Sequence, residues 1–374
     1  MSWRPDRLGN VATLKRGYDL PEKRRQDGDV PVVSSSGITG SHNEHKVEAP
    51  GVVTGRYGTL GQVYYVTEPF WPLNTSLYVR DFHGNNPRFV AYFLESTLRS
   101  TQSDKAAVPG VNRNDLHEIP VTVPEPAEQE AIVEVLAAYD DLIENNTRRI
   151  KLLEDAARLL YEEWFVRLRF PGHEHTPVND GVPEGWEGVP TPEAIDINPK
   201  TKLSDASEHW WVEMGDLPPN SMVIQGARLR DGRSGSKFQN GDTLFARITP
   251  CLENGKTAFV DFLDDGQVAR GSTEFIVLRS KRLTPEFVYS LARTYAFRHN
   301  AIKSMIGASG RQRVQESCFD KFRVLVPPPP LLNTFTDTAR PIFRQIRTLH
   351  LASRRAREAR DLLLPRLISG EVAV

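Results

Sequence analysis

The sequence predicts an α+β protein in which two repeated, strand-rich domains are separated by two long antiparallel helices that pair like a coiled coil. Two observations support this prediction. The same order of strand-like and helix-like segments occurs twice along the 374 residues. Each copy then ends in a long segment whose apolar residues recur at heptad spacing. At this length each domain can bury a core of its own.

The repeat is visible in matching segments. Pro87-Arg88-Phe89-Val90 in the first copy corresponds to Pro285-Glu286-Phe287-Val288 in the second, and each proline predicts the start of a short helix. β-Branched stretches bounded by Gly, Asn and Pro predict strands in both copies. They lie at 30–33, 52–53, 63–66, 76–79 and 119–123 in the first copy, and at 243–246, 257–260, 274–278 and 322–326 in the second.

Residues 127–166 contain neither Pro nor Gly and predict a first long helix of roughly 60 Å. We expect its heptad seam to pack against the seam of a second helix near the C-terminus, with Asn146 and Arg149 as a buried polar pair that fixes the register. Pro341 should kink the second helix or mark a late start. The alternative is that each helix packs only on its own domain. The seam residues of the two helices, which are also candidates for partner docking, are Ile132, Tyr139, Asn146 and Leu153, and Ile342, Ile346 and Leu349.

These elements predict four consecutive regions along the chain. A first domain occupies 1–126 and the central helix 127–170. A linker and second domain occupy 171–330, and the C-terminal helix occupies 331–374.

The overall charge is nearly neutral, with 47 Lys and Arg against 48 Asp and Glu. A neutral sum does not favour nucleic acid, but only the face that touches phosphate has to be positive. Basic residues cluster in 228–237 and 311–313. Two isolated cysteines, the absence of an apolar run of about 18 residues and the absence of a leader-like N-terminus predict a cytoplasmic protein without a membrane span.

Arginine beside glycine marks the candidate DNA-reading loops, because a guanidinium can bond a guanine edge at two points. One candidate pair of sites follows equivalent strands of the two copies, and a second pair precedes the last strand of each copy. For any single residue the competing interpretation is a surface Arg or a turn Asn. The candidates are Arg56 and Tyr57 with Arg247, then Asn112 and Arg113 with Arg311, Gln312 and Arg313; Lys256, Lys46 and Lys237 are weaker candidates for phosphate contacts.

Taken together, these segments resemble the specificity (S) subunits of Type I restriction–modification systems over the whole chain. The resemblance rests on VPEPAEQEAIVEVLAAYDDLIENNTRRIKLLEDAARLLYEEWF, which is similar to the family's central conserved helix. It also rests on GDTLFARITPCLENGKTAFV followed by GSTEFIVLR, on Pro183-Glu184-Gly185-Trp186, and on the closing LLLPRLISGEV.

The resemblance implies that each domain reads one half of a split site on double-stranded DNA, and that the helices set the unspecified gap. It further implies that two methyltransferase subunits dock on the chain and use S-adenosylmethionine to methylate adenine at N6. A motor–nuclease subunit joins for restriction. The chain itself would bind no cofactor or metal and catalyse nothing.

The missing motifs agree with a non-catalytic role. No GxxxxGK[ST] loop is present, and neither Asn86-Pro87 nor Asn198-Pro199 continues into the D/N-P-P-Y/F motif of adenine methyltransferases. Two other classes stay open. One is a scaffold of two ligand-binding domains on a coiled-coil rod with no DNA role, and the other is a degenerate fused enzyme.

Overall fold

A computed structural model describes residues 3–56, 61–103, 112–308 and 310–374, of which 100–103 are described by their backbone. The chain divides into two compact units. Unit 1 comprises Met1–Ile143 and Arg354–Val374, and unit 2 comprises Glu144–Ser353. This division passes through both long helices, so each helix contributes one segment to each unit.

The described part of unit 1 begins with nine strands and three helices and ends with the two long-helix segments. In chain order its elements are β1 (Trp3–Arg7), α1 (Leu8–Val11), β2 (Thr13–Arg16), β3 (Val30–Ser34), β4 (Gly37–His42), β5 (Gly51–Gly55), β6 (Val63–Val66), β7 (Trp71–Pro72), β8 (Ser76–Asp81), α2 (Pro87–Ser103), α3 (Arg113–His117), β9 (Pro120–Pro124) and the first part of α4 (Pro126–Tyr161).

Three sheets organise unit 1. Strands β2-β8-β5-β6 form an antiparallel sheet, β4-β3-β7 form a second sheet in which β3 and β7 are parallel, and β1 pairs with β9. The apolar face of α2 packs on the first sheet through Phe89, Val90 and Leu94, which are all fully buried. Proline is tolerated at the first helical position, because an amide there would have no hydrogen-bond acceptor within the helix.

Unit 2 repeats the same order with longer loops. Its elements after α4 are β10 (Val178–Asn179), β11 (Val182–Pro183), β12 (Glu187–Pro190), α5 (Thr191–Ala194), β13 (Ile195–Ile197), β14 (Glu208–Val212), β15 (Arg228–Asp231), β16 (Ser236–Gln239), β17 (Thr243–Ala246), β18 (Thr257–Phe259), β19 (Val268–Gly271), β20 (Phe275–Ser280), α6 (Pro285–Arg293), α7 (Tyr295–Lys303), α8 (Cys318–Lys321), β21 (Arg323–Val326) and the first part of α9 (Pro329–Ile368).

The main sheets of unit 2 correspond to those of unit 1, with β16 and the β10–β11 pair as additions that the described part of unit 1 lacks. The order β13-β20-β17-β18 repeats β2-β8-β5-β6, and the β12–β21 pair repeats β1–β9. In β15-β14-β19-β16, strands β14 and β19 are parallel, as β3 and β7 are in unit 1. The prediction of two repeated α+β domains is therefore confirmed.

Within each unit the two long-helix segments pack against each other. In unit 1, Ile132 and Leu136 of α4 share a core with Leu364 and Leu367 of α9. In unit 2, residues near the end of α4 pack with residues early in α9, including a contact between the Tyr161 and Phe335 rings at 6.1 Å. The segments run in opposite directions, and the predicted coiled-coil-like pairing is confirmed.

Three details of the helices differ from the expectation. Helix α4 ends at Tyr161 and continues as one π-helical turn to Val166, and α9 begins at Pro329, so a late start at Pro341 is wrong. Pro341 is exposed, so water can satisfy the carbonyl that its missing N–H leaves free. Arg149 is exposed while Asn146 is buried, so the two do not form a buried polar pair.

No helix in the described part of the chain combines the length and the apolar character that crossing a bilayer requires.

Candidate nucleic-acid interface

An open cleft of about 440 Å³ lies on unit 2 at the edge of the β13-β20-β17-β18 sheet. Its floor is apolar, and its walls carry three cationic side chains together with hydroxyl groups. We call this the unit 2 cleft. It is lined by Asn198, Pro199, Lys200, Thr201, Gly235, Ser236, Lys237, Arg247, Thr273, Phe275 and Val277.

The loop after β13 is held on the cleft by Asn198. Its backbone N–H donates to the carbonyl of Val277 at 2.8 Å, and its Oδ1 accepts from the N–H of Val277 at 2.9 Å. Asn198 has a left-handed φ of 48°, a conformation that asparagine tolerates better than most residues. This turn places Lys200 on one wall of the cleft, where its side chain is exposed.

Arg247 follows β17 and lies on the cleft wall with its backbone fixed on both sides. Its N–H donates to the carbonyl of Glu274 at 3.0 Å, and its carbonyl accepts from Val314 at 2.8 Å. Its Nη1 lies 3.2 Å from a Glu316 carboxylate oxygen, and its Nη2 lies 3.3 Å from the carbonyl of Val314. A quarter of the side chain is exposed, and Nε has no hydrogen-bond partner among the described residues.

Arg313 lies beside Arg247 through a bridge between Ile248 and Arg313. Its Nε and Nη2 donate to the carboxylate of Glu274 at 2.7–3.0 Å, and this hydrogen bonding raises the pKa of Arg313. Two of the three candidate arginines of unit 2, Arg247 and Arg313, therefore lie together, each paired with a carboxylate. DNA would have to compete with Glu274 and Glu316 for them.

The other candidates of unit 2 have different surroundings. Arg311 is exposed, and the Gln312 backbone exchanges hydrogen bonds with Thr249. The Lys256 ammonium donates to the carbonyl of Met214 at 2.8 Å and is half-buried, which indicates a role within the fold. None of these three residues lines the cleft.

In unit 1, Arg56 follows β5 as Arg247 follows β17, so the predicted equivalence of these two positions agrees with the sheet topology. Tyr57 lies outside the described residues. Asn112 caps α3, with its side chain accepting from the N–H of Asn114, and Arg113 is the first residue of that helix. Arg313 instead precedes α8 by five residues. Both segments precede the last strand of their unit, as expected, but Arg113 begins a helix whereas Arg313 lies in a bridge, so the two arginines do not occupy equivalent positions.

Sequence reasoning missed Lys200, Thr201 and Thr273, and ranked Lys237 low. The only signal for Lys200 was the Asn-Pro turn that precedes it. Four separate segments contribute to the cleft, and their convergence depends on strand order rather than on any local pattern.

The buried seam residues are covered by the chain itself. Ile132, Asn146, Ile346 and Leu349 are each at most 5% exposed, whereas Tyr139, Leu153 and Ile342 are half-buried. The buried members therefore stabilise the helix pairs and offer no open docking surface.

Residues 2–155 match the family model of the Type I restriction modification DNA specificity domain. The specificity subunit of the Type I restriction enzyme MjaIX from Methanocaldococcus jannaschii is 23% identical over 305 residues, which cover 76% of this chain and 68% of that protein. The EcoEI specificity subunit from Escherichia coli is 29% identical over 156 residues, which cover 39% of this chain and 26% of that protein. The family model and these relatives support the expectation that the chain is similar to Type I specificity subunits.

The crystal structure of a Type I restriction–modification S subunit from M. genitalium shares the fold of this chain. It has a TM-score of 0.62 at 12% identity and covers 98% of this chain and 96% of that one. The family model covers the strands of unit 1 and most of α4, whereas the structural likeness extends over unit 2 as well.

Proposed function

We propose that this chain is the sequence-specific DNA-recognition subunit of a Type I restriction–modification complex, in which each unit reads one half of a bipartite site. The observation that supports this most directly is the unit 2 cleft. It places Lys200, Lys237 and Arg247 around one open depression of a protein whose net charge is only −1.

The charges around the cleft suit a phosphate backbone. Neither Lys200 nor Lys237 forms an ion pair with a described residue, so both ammonium groups are available to DNA. Contacts of this kind supply affinity without sequence information. Arg247 is the better candidate for base reading, because its Nη2 is held by the carbonyl of Val314 and its carboxylate partner Glu316 is itself partly exposed.

The catalytic work would belong to partners. We infer that two methyltransferase subunits associate with the chain, bind S-adenosylmethionine and methylate adenine at N6, and that a motor–nuclease subunit joins for restriction. On α4 of unit 2, Leu152 and Leu159 are seven residues apart, and 68% and 46% of their surfaces are exposed. An apolar stripe of this spacing suits a partner helix better than water.

The first experiment is adenine-methylation mapping of a genome that carries this gene beside its methyltransferase gene. We expect a split motif with a fixed gap that disappears when the specificity gene is deleted. If every methylated motif persists after the deletion, this result contradicts DNA recognition and favours a two-domain scaffold that binds another ligand.

A variant tests the cleft itself. Arg247→Ala should weaken binding to the specific site by about 5- to 150-fold, corresponding to roughly 1–3 kcal/mol for a bidentate base contact, and leave non-specific DNA binding nearly unchanged. Arg282→Ala is the matched control, since Arg282 pairs with Glu187 and does not line the cleft. Equal weakening of Arg247→Ala on all DNA sequences would show that Arg247 contacts phosphate only.

A further inference from the structure

Arg270 in β19 of unit 2 is a buried cation with an unusual environment. It is only 2% exposed and is among the largest fully buried side chains in the described part of the chain. No carboxylate of a described residue pairs with it. Buried arginines are normally paired, because removing an unpaired charge from water is costly.

The guanidinium is held by backbone carbonyls and by an aromatic ring. Nη2 donates to the carbonyls of Arg230 (2.6 Å) and Asp231, and Nη1 donates to that of Ser234 (3.2 Å). The guanidinium carbon also lies 4.9 Å from the centre of the Trp211 ring, within the range of a cation–π contact. One side chain therefore ties the end of β15 to the segment 232–235, which we call the crossover.

Two glycines allow the crossover to lie this close to the sheet. Gly232 and Gly235 have φ of +108° and +102°, which other residues rarely adopt. A Cβ on Gly235 would lie 2.2 Å from the carbonyl oxygen of Gly271 and 2.8 Å from the Trp211 ring. The path of the crossover is thus fixed by the hydrogen bonds of Arg270 and by the close backbone contact between Gly235 and Gly271.

This path leads directly into the unit 2 cleft. Gly235, at the end of the crossover, and then Ser236 and Lys237 line the cleft opposite the loop that carries Lys200. The crossover also carries the exposed Arg233, and β15 before it carries the exposed Arg228 and Arg230. A shift of the crossover would move Lys237 relative to Arg247.

Among the described residues of unit 1, no arginine forms such a clamp at the corresponding position. In unit 2 the parallel pair β14–β19 sets Trp211 opposite Arg270, whereas in unit 1 the pair β3–β7 sets Val32 opposite Trp71. There the cation comes from Lys46, whose Nζ lies 4.7 Å from the Trp71 ring centre. Changing Arg270 therefore perturbs a device that belongs to unit 2.

We propose that Arg270 is a positioning residue for DNA recognition by unit 2: it holds the crossover so that Lys237 and Arg247 face the same DNA segment. This rests on the proposed function. Arg270 itself is too deeply buried to contact DNA. Its uncompensated charge adds to the positive potential beneath the cleft, and bound phosphate would supply the counter-charge that the described protein lacks.

The test uses the complex with its methyltransferase subunits and DNA in which one half-site at a time carries a mismatched base pair. The half read by unit 2 is the one whose discrimination Arg247→Ala reduces. We expect Arg270→Met to reduce discrimination in that half by about 10-fold or more, as for loss of one base contact, and to leave the other half unchanged. Arg270→Lys should not restore it, because a single ammonium cannot bond several carbonyls in the geometry of the guanidinium fork.

A second variant guards against simple unfolding. Gly235→Ala displaces the crossover without altering the buried charge, and should reproduce the loss confined to one half-site. Hydrogen exchange of 230–237 in the folded Arg270→Met protein should be faster than in the wild type, with exchange in unit 1 unchanged. If Arg270→Met is too unstable to assay, two other measurements test the proposal. One is the half-site discrimination of Gly235→Ala, and the other is hydrogen exchange of the wild type, which should slow at 230–237 on DNA binding.

The outcomes separate the two proposals. If the wild-type complex binds DNA with a mismatched half-site as tightly as the correct DNA, for both halves, the proposed function is overturned. Suppose instead that the wild type discriminates against mismatches. If Arg270→Met and Gly235→Ala keep this discrimination, or lose it equally in both half-sites, only the positioning role is overturned.

Discussion

Arg360 of α9 lies with its Nη1 2.6 Å from Oδ1 of Asp140 on α4, within unit 1. Both side chains are about a quarter exposed. Burial acts to lower the pKa of Arg360, but hydrogen bonds to Asp140 and Asp361 outweigh it, so the pKa is raised. Asp140 also accepts from the Tyr92 hydroxyl of α2. This carboxylate therefore links three helices of unit 1.

We expect Arg360→Leu to lower the free energy of unfolding by about 2 kcal/mol, because it leaves a partly buried charge without its strongest partner. A double-mutant cycle with Asp140→Asn, measured by denaturant unfolding, should give a coupling energy of about 1 kcal/mol or more. The exposed pair Arg354–Glu358 is the control and should couple by less than about 0.5 kcal/mol. Equal couplings for the two pairs would contradict a structural role of the Asp140 network.

Asp261 gives unit 2 a pH-dependent stability. Burial raises its pKa to about 6, although the ion pair with Arg347 at 3.1 Å acts to lower it. Since the folded pKa is above the unfolded value of 3.8, the stabilising contribution is complete below that value and is lost as the pH rises through about 6. Relative to Asp261→Asn, the wild type should lose about 1–2 kcal/mol of unfolding free energy between pH 4 and pH 7. This loss is smaller than the full shift of the Asp261 pKa implies, because 30% of the side chain is exposed to solvent.

The measurement is denaturant unfolding of both proteins across this pH range. Asp264→Asn, which changes an exposed carboxylate a few residues away, should show no such divergence from the wild type. A wild type that gains stability relative to Asp261→Asn as the pH rises would reverse the sign and refute the assignment.

Asn146 lies in the helix seam of unit 2 at 2% exposure, and its Nδ2 has no hydrogen-bond partner among the described residues. We expect Asn146→Leu to raise the free energy of unfolding by about 1 kcal/mol, since it removes a buried NH₂ group that has no hydrogen-bond acceptor in the described part of the chain. Denaturant unfolding checks this, with the exposed Asn145→Leu as a neutral control. Destabilisation by Asn146→Leu would show that the amide is satisfied in solution.

The resemblance to specificity subunits predicts that helix length sets the gap in the recognised site. We expect matched seven-residue helical insertions, after Ile143 in α4 and after Ser353 in α9, to lengthen the gap by about three base pairs, because they add about 10 Å of helix and a base pair rises about 3.4 Å. Methylation mapping reads the gap directly. An insertion after Gly181, in the turn between β10 and β11, is the control. An unchanged gap after the helical insertions would exclude helix length as the determinant.

Local patterns were sufficient for most of the secondary structure. β-Branched runs between Gly and Pro gave β3, β5, β6 and β17, and the Pro-free, Gly-free stretch gave α4. These succeed because side-chain alternation and chain breakers act over a few residues. A late helix start at Pro341 is wrong, because a long helix stabilised by packing on both sides of a proline can continue through it.

The sequence by itself determined the repeated α+β architecture, the two long helices and the resemblance to Type I specificity subunits, since periodicity and motif order are properties of the chain alone. Only the tertiary structure decided which cations share a surface. Lys200, Lys237 and Arg247 come from three separate segments and meet in the unit 2 cleft. Arg113, which looked equivalent to Arg313, begins a helix elsewhere in the topology. The physical reason is that strand order and loop path fix the place of a side chain, whereas residue type fixes only what it can bind there.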